Sequence, residues 1–440
     1  MELNTQTTMS SDSNDESIDK SLEKKFANVV ANNTDGEKAT QPEKTAKEIE
    51  EEQVSRWSWF IFEFLTGVLG GSSAVLINFF LWQEEQSLDL ILFYNFWIIL
   101  ASFIFNFSAN YLTVFLGSKL GTIFGLMWQA FAMFLASILL EDLSNYLLYF
   151  GVFTGIVNII FYRASTPLFM RVEPQEFVFD LFSFKQIFWT AIAAITTPII
   201  VNYGVEILDY RLTLQILGWL YLATIAFVLL MKVKPDEQEV YLFSLFKQLP
   251  SVSYLKKIAG IRLSLGAAAV YSLGLFNILI LENIGSIADW QYISISLTAS
   301  AVVIAYFVKK IESESEKKTL ILVSTMLFAL VPLVLFVNFT LVTFLIFSFT
   351  KTIYNRVTSI LAGGYAWSLQ GEDPQFDSRI VSYATFSQSF TQLGQLIPLI
   401  VLIALPEDFL NTTTLTIALA LIALIPFLFA GVYTKEDKYF

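Results

Sequence analysis

The chain contains no cysteine and no histidine among its 440 residues. Without cysteine there are no disulfides, no thiolate metal sites and no cysteine nucleophile. Without histidine there is no Ser-His-Asp triad, and zinc sites built from Cys and His fall with it. Charge is also scarce, at 15% of residues, against about 25% in a typical soluble domain. What charge there is has the wrong sign for nucleic acid: the net value is −12, and a nucleic-acid surface requires a basic patch.

Apolar residues fill the space, at 55% of the chain with 42 phenylalanines. Charge is clustered, which leaves apolar runs of 18 or more residues between the clusters. A bilayer core about 30 Å thick needs roughly 20 residues of helix. The chain therefore reads as an all-α integral membrane protein, with the lipid bilayer as its surroundings. A soluble core of this size would show polar faces at the helical period, and most of these runs do not. Residues 1–55 are the exception. They are rich in Ser, Asn, Thr, Glu and Lys, and residues 1–56 hold 13 acids against 7 bases. This composition predicts a disordered acidic tail, with "PEKTAKEIEEEQ" as a short solvated helix leading into the membrane. No apolar stretch behind a basic start marks a signal peptide.

Twelve apolar segments are expected, at 57–83, 88–116, 120–140, 146–170, 177–203, 212–233, 259–281, 290–308, 319–337, 339–365, 380–405 and 412–433. Lysine and arginine placement sets the orientation. With the N-terminus in the cytoplasm, the cytoplasmic loops receive Lys119, Arg171, Lys247, Lys256, Lys257, Lys310 and Arg379, while the outer loops receive Arg211. The outer loops hold acids instead, among them Glu84, Glu85, Glu141, Asp142, Glu206 and Asp209. Both termini are thus expected in the cytoplasm.

The sequence also repeats itself. "VEPQEF" (172–177) and "EDPQFD" (372–377) share an acid-Pro-Gln core 200 residues apart, and Pro198 and Pro398 share that offset. Asn78 and Asn277 are 199 apart, and the pairs Phe153-Thr154 and Phe349-Thr350 are 196 apart. Four matches in one order point to a duplicated six-helix unit. The expected domains are the tail (1–55), an N-terminal half (57–233), a central cytoplasmic loop (234–258), a C-terminal half (259–433) and a short cytoplasmic tail (434–440).

Six helices repeated in one orientation form the parallel repeat of the major facilitator fold. By span count, topology, repeat and loop placement, residues 57–433 resemble the major facilitator superfamily (MFS). The signature between helices 2 and 3 is partial: "ANYLTVFLGSKLG" keeps Gly117, Lys119 and Gly121 but lacks the acid. The fifth-helix antiporter motif is echoed in "AAITTPIIVNYG", where Pro198 is kept and the glycines are replaced. The resemblance implies an alternating-access transporter with a site near the midplane between the halves.

The polar residues inside the segments give the candidate site. Ser348, Lys351, Thr352, Asn355 and Ser359 recur on one face of the tenth segment, the pattern of a helical stripe. A charge at this depth costs about 2.5–3.5 kcal/mol on insertion scales, so it faces a cavity or a partner. On the fourth segment Thr154, Asn158, Tyr162 and Ser165 form a similar stripe, and the eleventh carries Gln388, Thr391, Gln392 and Gln395. Lys351, Asn355, Thr352, Asn158, Thr154, Asn78, Asn277, Gln388 and Gln392 are the candidate substrate-binding residues. Each of them has a plainer reading, as a helix–helix hydrogen bond or, for Lys351, as a side chain that snorkels. Glu63 shares a face with Gly67 and Gly71 and is the candidate carrier of a coupling proton, or the partner of a buried base. Arg163, Arg356, Arg171, Asp373 and Arg379 are candidate gate residues. Trp57, Trp59 and Trp82 read as interfacial anchors.

The expected function is secondary active transport of a small organic solute, proton-coupled, by a monomer in the plasma membrane, with a bacterial inner membrane as the setting. No cofactor, no metal and no nucleic acid are implied. Nor does an enzymatic constellation appear. Two rival readings use the same scaffold: a flippase for a lipid or lipid-linked glycan, and a transport-inactive sensor or scaffold.

Overall fold

The computed structural model describes residues 46–172, 191–192, 195–233, 243–270, 287–311, 313–337, 340–370, 373, 376–404 and 424–426. Residues Met1–Gln53 form one unit and Val54–Phe440 another. Every regular element among the described residues is helical. Helix α1 spans Ala46–Glu85, α2 Leu88–Leu116, α3 Ser118–Leu139 and α4 Leu147–Val172. A stretch at 195–203 leads through a π turn, Gly204–Leu208, into α5, Asp209–Leu230. The rest are α6 (Ser244–Gln248), α7 (Ser253–Ala269), α8 (Ile287–Lys309), α9 (Glu314–Leu330), α10 (Pro332–Val337), α11 (Leu341–Gln370) and α12 (Phe376–Ile403).

The turns have local causes. α1 gives way to α2 at Gln86, which takes a φ of 48° and donates its N–H to the Trp82 carbonyl at 2.9 Å. α2 ends at Gly117, whose φ of 78° suits a residue without Cβ. Its N–H donates to Thr113 O at 2.8 Å, and α3 starts at the next residue. Lys119 then donates to the Leu229 and Met231 carbonyls at 3.0 and 2.7 Å. A cation at a helix C-terminus, here that of α5, satisfies carbonyls that have no amide in the helix.

Two expected boundaries differ. The segment between 203 and 212, read as an outer loop, is a π turn, Gly204–Leu208, followed by a break at Asp209, whose φ of 68° is not helical, before α5 runs on. Thr213 Oγ1 donates to the Gly204 and Asp209 carbonyls at 2.9 and 2.6 Å, and Leu212 N donates to Asp209 Oδ1 at 2.8 Å. These bonds stitch the π turn to α5, although its acids had marked it as a loop. The second difference is in the central loop. α6 lies within it, and α7 begins at Ser253 rather than 259. Leu245 and Leu255 are fully buried, so apolar packing fixes a stretch that its lysines made look solvated.

Eight helical runs among the described residues are long and apolar enough to cross a bilayer. One of them, Ile195–Leu230, joins two of the expected segments. α11 is long enough at 30 residues but is too polar to be among the eight. Polarity is distributed as lipid demands. Ile104, Phe115, Ile138, Trp219 and Leu229 are exposed, while Asn78, Asn95, Asn106, Asn110, Thr122 and Gln129 are buried. In water such apolar exposure marks an interaction surface. The chain is a multi-pass membrane protein.

α4 packs on α2 and α3, and α3 packs on α5. α11 packs on α7, α8 and α9, and α12 on α7. The pairings α2–α4 and α3–α4 therefore have counterparts in α8–α11 and α9–α11. α12 also meets α2 and α4, and Phe79 meets Trp290 of α8 edge to face at 4.9 Å. Helices approach most closely where glycine removes the side chain. A Cβ on Gly266 of α7 would collide with the Thr391 carbonyl of α12, and one on Gly394 with the Leu263 carbonyl of α7. Backbone thus touches backbone from both sides at that crossing.

Trp59 departs from its expected role as an interfacial anchor. It is buried, with its ring 5.3 Å from that of Phe169 and 4.9 Å from that of Phe62. Trp57 is exposed and Trp82 half-buried.

Candidate functional site

α11 carries a polar stripe. Counted from Leu341, Lys351 lies about 15 Å along at 1.5 Å per residue, a third of the way down the 30-residue helix. It is 6% exposed, and Ser348 and Thr358 are buried with it. Thr352, Asn355 and Arg356 are half-buried. The hydroxyls of this helix turn back on their own backbone. Ser348 donates to Phe344 O at 2.6 Å, Thr352 to Ser348 O at 2.8 Å and Thr358 to Tyr354 O at 2.7 Å. Such bonds use up the hydroxyl protons. Lys351, Asn355 and Arg356 are the longer polar side chains of the same stretch. Tyr354, close to one turn beyond Lys351, anchors the helix: its ring stacks on Phe328 at 4.4 Å, and its hydroxyl lies 3.5 Å from Ser264 Oγ.

Several of the other candidate amides join helices. Asn78 Oδ1 accepts from Asn95 Nδ2 at 3.1 Å, tying α1 to α2. Asn158 Oδ1 accepts from Gln129 Nε2 at 2.7 Å, tying α4 to α3. Thr154 and Gln392 are buried, and Gln388 is half-buried. Glu63 is half-buried on α1, where Thr66 Oγ1 donates to its carbonyl at 3.2 Å. The small residues beyond it pack closely, since a Cβ on Gly71 would press against the Thr197 side chain. Asn277 and the Arg171 side chain lie outside the described residues.

Asp373 and Arg379 come together. Asp373 Oδ2 accepts from Arg379 Nη1 at 3.1 Å and from the Tyr383 hydroxyl at 3.0 Å. Tyr383 meets the Tyr254 hydroxyl of α7 at 3.1 Å. The chain of contacts joins the start of α12 to the start of α7. Arg163 is placed elsewhere, on α4, and is 3% exposed. α4 and α11 share no extended contact among the described residues, so Arg163 and Lys351 stand on separate walls.

Sequence reasoning missed Asn106 as a link between the two halves of the chain. Its Nδ2 donates to Thr385 O at 3.1 Å and to Ser389 Oγ at 2.8 Å, both on α12. The spacing of Asn106 and Asn110 on α2 was visible, but nothing in it named the partner helix.

The helices assemble into a major-facilitator-like fold. The structure of the nucleoside transporter NupG matches with a TM-score of 0.59 and 14% identity, covering 86% of this chain and 99% of that one. A mutant of NupG matches with a TM-score of 0.62 and 14% identity, over 86% and 98%. A mutant of the E. coli fucose:proton symporter FucP matches with a TM-score of 0.57 and 14% identity, over 88% and 99%. At this identity the likeness is one of fold. No family model matches the sequence, and no curated protein matches it.

Proposed function

We propose that the chain is a secondary active transporter of a small organic solute, working by alternating access between its two halves. The observation that carries this reading is the polar stripe of α11. Lys351 is buried within a long helix whose neighbouring hydroxyls are bound to their own backbone. A charge in such a place costs about 2.5–3.5 kcal/mol on insertion scales, which makes Lys351 the leading candidate for a binding group. Similarity of fold to transporters named for nucleosides and for fucose with protons supports the reading.

In this mechanism Lys351 receives an anionic or carbonyl group of the solute, with Asn355 beside it on α11 and Gln388 contributed from α12. Glu63 carries the coupling proton. The Asp373–Arg379 pair belongs to the gate, opening and closing with the start of α12. Rocking of the halves exposes the site to one side and then the other.

The test is a thermal-shift screen of small solutes on purified wild type beside Lys351→Gln, followed by uptake into proteoliposomes under a pH gradient. A solute that stabilises wild type alone and is taken up with the gradient supports the assignment. Equal responses from both proteins would remove Lys351 from the site. Stabilisation by lipids alone would move the flippase reading ahead.

A further inference from the structure

The seam between α2, α4 and α12 holds polar groups that the packing leaves unused. All three helices are in mutual contact. α2 and α4 run parallel and in step: Gly151 lies against Tyr94 and Trp97, and Gly155 against Ile98 and Ala101. Two further turns at the same spacing bring Arg163 level with residues 106 and 109 of α2. Arg163 lies about a third of a turn round α4 from Gly151, away from the face that meets α2. α12 closes the seam, with Thr385 and Ser389 bonded to Asn106.

The direction of that bond matters. The Thr385 carbonyl can only accept, so the amide nitrogen of Asn106 is fixed toward α12 and Oδ1 is turned away. Asn106 Oδ1 has no hydrogen-bond partner among the described residues. The same holds for Oδ1 of Asn110, one turn along α2, and for Oε1 of Gln392, one turn beyond Ser389. It also holds for Nε and Nη1 of Arg163. These four side chains are only 0, 2, 2 and 3% exposed. Buried polar groups left in this state are costly. The unmet demands are opposite in kind: a guanidinium that needs an acceptor, and amide oxygens that need donors.

We propose that this seam binds a small organic anion that carries hydrogen-bond donors of its own, a hydroxylated or amino carboxylate. The carboxylate accepts a charge-assisted hydrogen bond from the Arg163 guanidinium. Hydroxyl or ammonium protons of the same molecule go to Asn106, Asn110 and Gln392. Arg163 then acts as a binding residue rather than a gate, and Gln392 belongs to the site on α12 as expected. The proposal rests on the transporter reading for the route by which such a solute reaches the seam.

The experiment uses the full chain in detergent and two matched sets of probes. The three-carbon set is lactate, alanine, propionate and propane-1,2-diol, and the six-carbon set is gluconate, 6-aminohexanoate, hexanoate and sorbitol. Calorimetry gives affinities for wild type, Arg163→Gln, Arg163→Lys and Asn110→Leu, each checked for monodisperse elution and helical circular dichroism. A donor-bearing anion is expected to bind best in one set, and the better of its hydroxy and amino forms names the source of the protons. Arg163→Gln should weaken it at least tenfold, with Arg163→Lys in between. Asn110→Leu should erase its preference over the plain carboxylate. If Arg163→Gln does not fold, loss of that preference in Asn110→Leu decides the matter. The proposal is overturned if no probe binds, if a neutral polyol binds as tightly as its acid, or if the variants bind as wild type does. Binding without uptake into proteoliposomes would sink the transporter reading and leave the seam standing. Uptake of a neutral solute that Arg163→Gln leaves unchanged would do the reverse.

Discussion

Thr352 and Lys351 are neighbours on α11, and the Thr352 side chain is tied to its own helix. The Thr352 hydroxyl is bound to Ser348 O at 2.8 Å, so its proton is already committed. Thr352→Val should leave solute affinity within threefold of wild type, measured by calorimetry, where Lys351→Gln abolishes it. Asp373 makes a sharper residue-scale case. Its carboxylate is buried and accepts from both Arg379 and Tyr383. Hydrogen bonds to a charged group contribute about 1.5–3 kcal/mol. Asp373→Asn keeps the shape and loses the charge, so thermal denaturation should show a lower Tm, while Tyr383→Phe should cost less. A variant as stable as wild type would reduce the pair to an incidental contact.

At the scale of the helix, close crossings decide what a substitution costs. Gly266 and Gly394 hold the backbones of α7 and α12 together, with a carbonyl in the space where each Cβ would stand. Gly266→Leu and Gly394→Val should therefore yield little monodisperse protein by size-exclusion chromatography. Gly363 on α11 has nothing within 4 Å of its Cβ position. Gly363→Ala should be tolerated, and about 0.5–1 kcal/mol of helix propensity favours it. A collapse of Gly363→Ala, or a well-folded Gly394→Val, would contradict this account.

The helices themselves were legible in the sequence because lipid selects long apolar runs. The bounds of α2 were read as 88–116, and the helix is Leu88–Leu116. The π turn at Gly204–Leu208 was not legible, since Glu206 and Asp209 look like loop acids and only the Thr213 bonds reveal the helix. Periodicity also found the stripe on α11, because one helix contains all of it. It did not find the Asn78–Asn95, Gln129–Asn158 and Asn106–Ser389 pairs. A single sequence shows which face of a helix is polar but not which helix lies opposite.

Across the whole molecule, α12 packs on α2 and α4, and two of the contacts between the chain's first and second halves suit cross-linking. Phe79 and Trp290 meet near the end of α1, and Asn106 reaches α12 about 27 Å down α2. The protein has no cysteine of its own, so introduced thiols are the only ones present. A Phe79→Cys/Trp290→Cys protein and an Asn106→Cys/Ser389→Cys protein should each cross-link with a short thiol reagent. Proteoliposome uptake should then stop, and a cleavable reagent should allow recovery on reduction. Full uptake in either cross-linked protein would show that the contact does not open during the cycle.

The aromatic cluster at α6 has a practical consequence for taking the molecule apart. Phe246 lies 5.6 Å from Phe107 of α2, and 5.1 and 6.2 Å from Phe386 and Phe390 of α12. Phe243 stacks on Phe107 at 5.1 Å. The segment that reads as a tether thus acts as a plug, wedged where the two polypeptide halves meet. Two co-expressed fragments cut ahead of Phe243 would carry this plug whole on the second piece, as a ready-made adhesive for reassembly. A cut after Gln248 would strand it on the wrong fragment, leaving the second piece with a vacant aromatic socket.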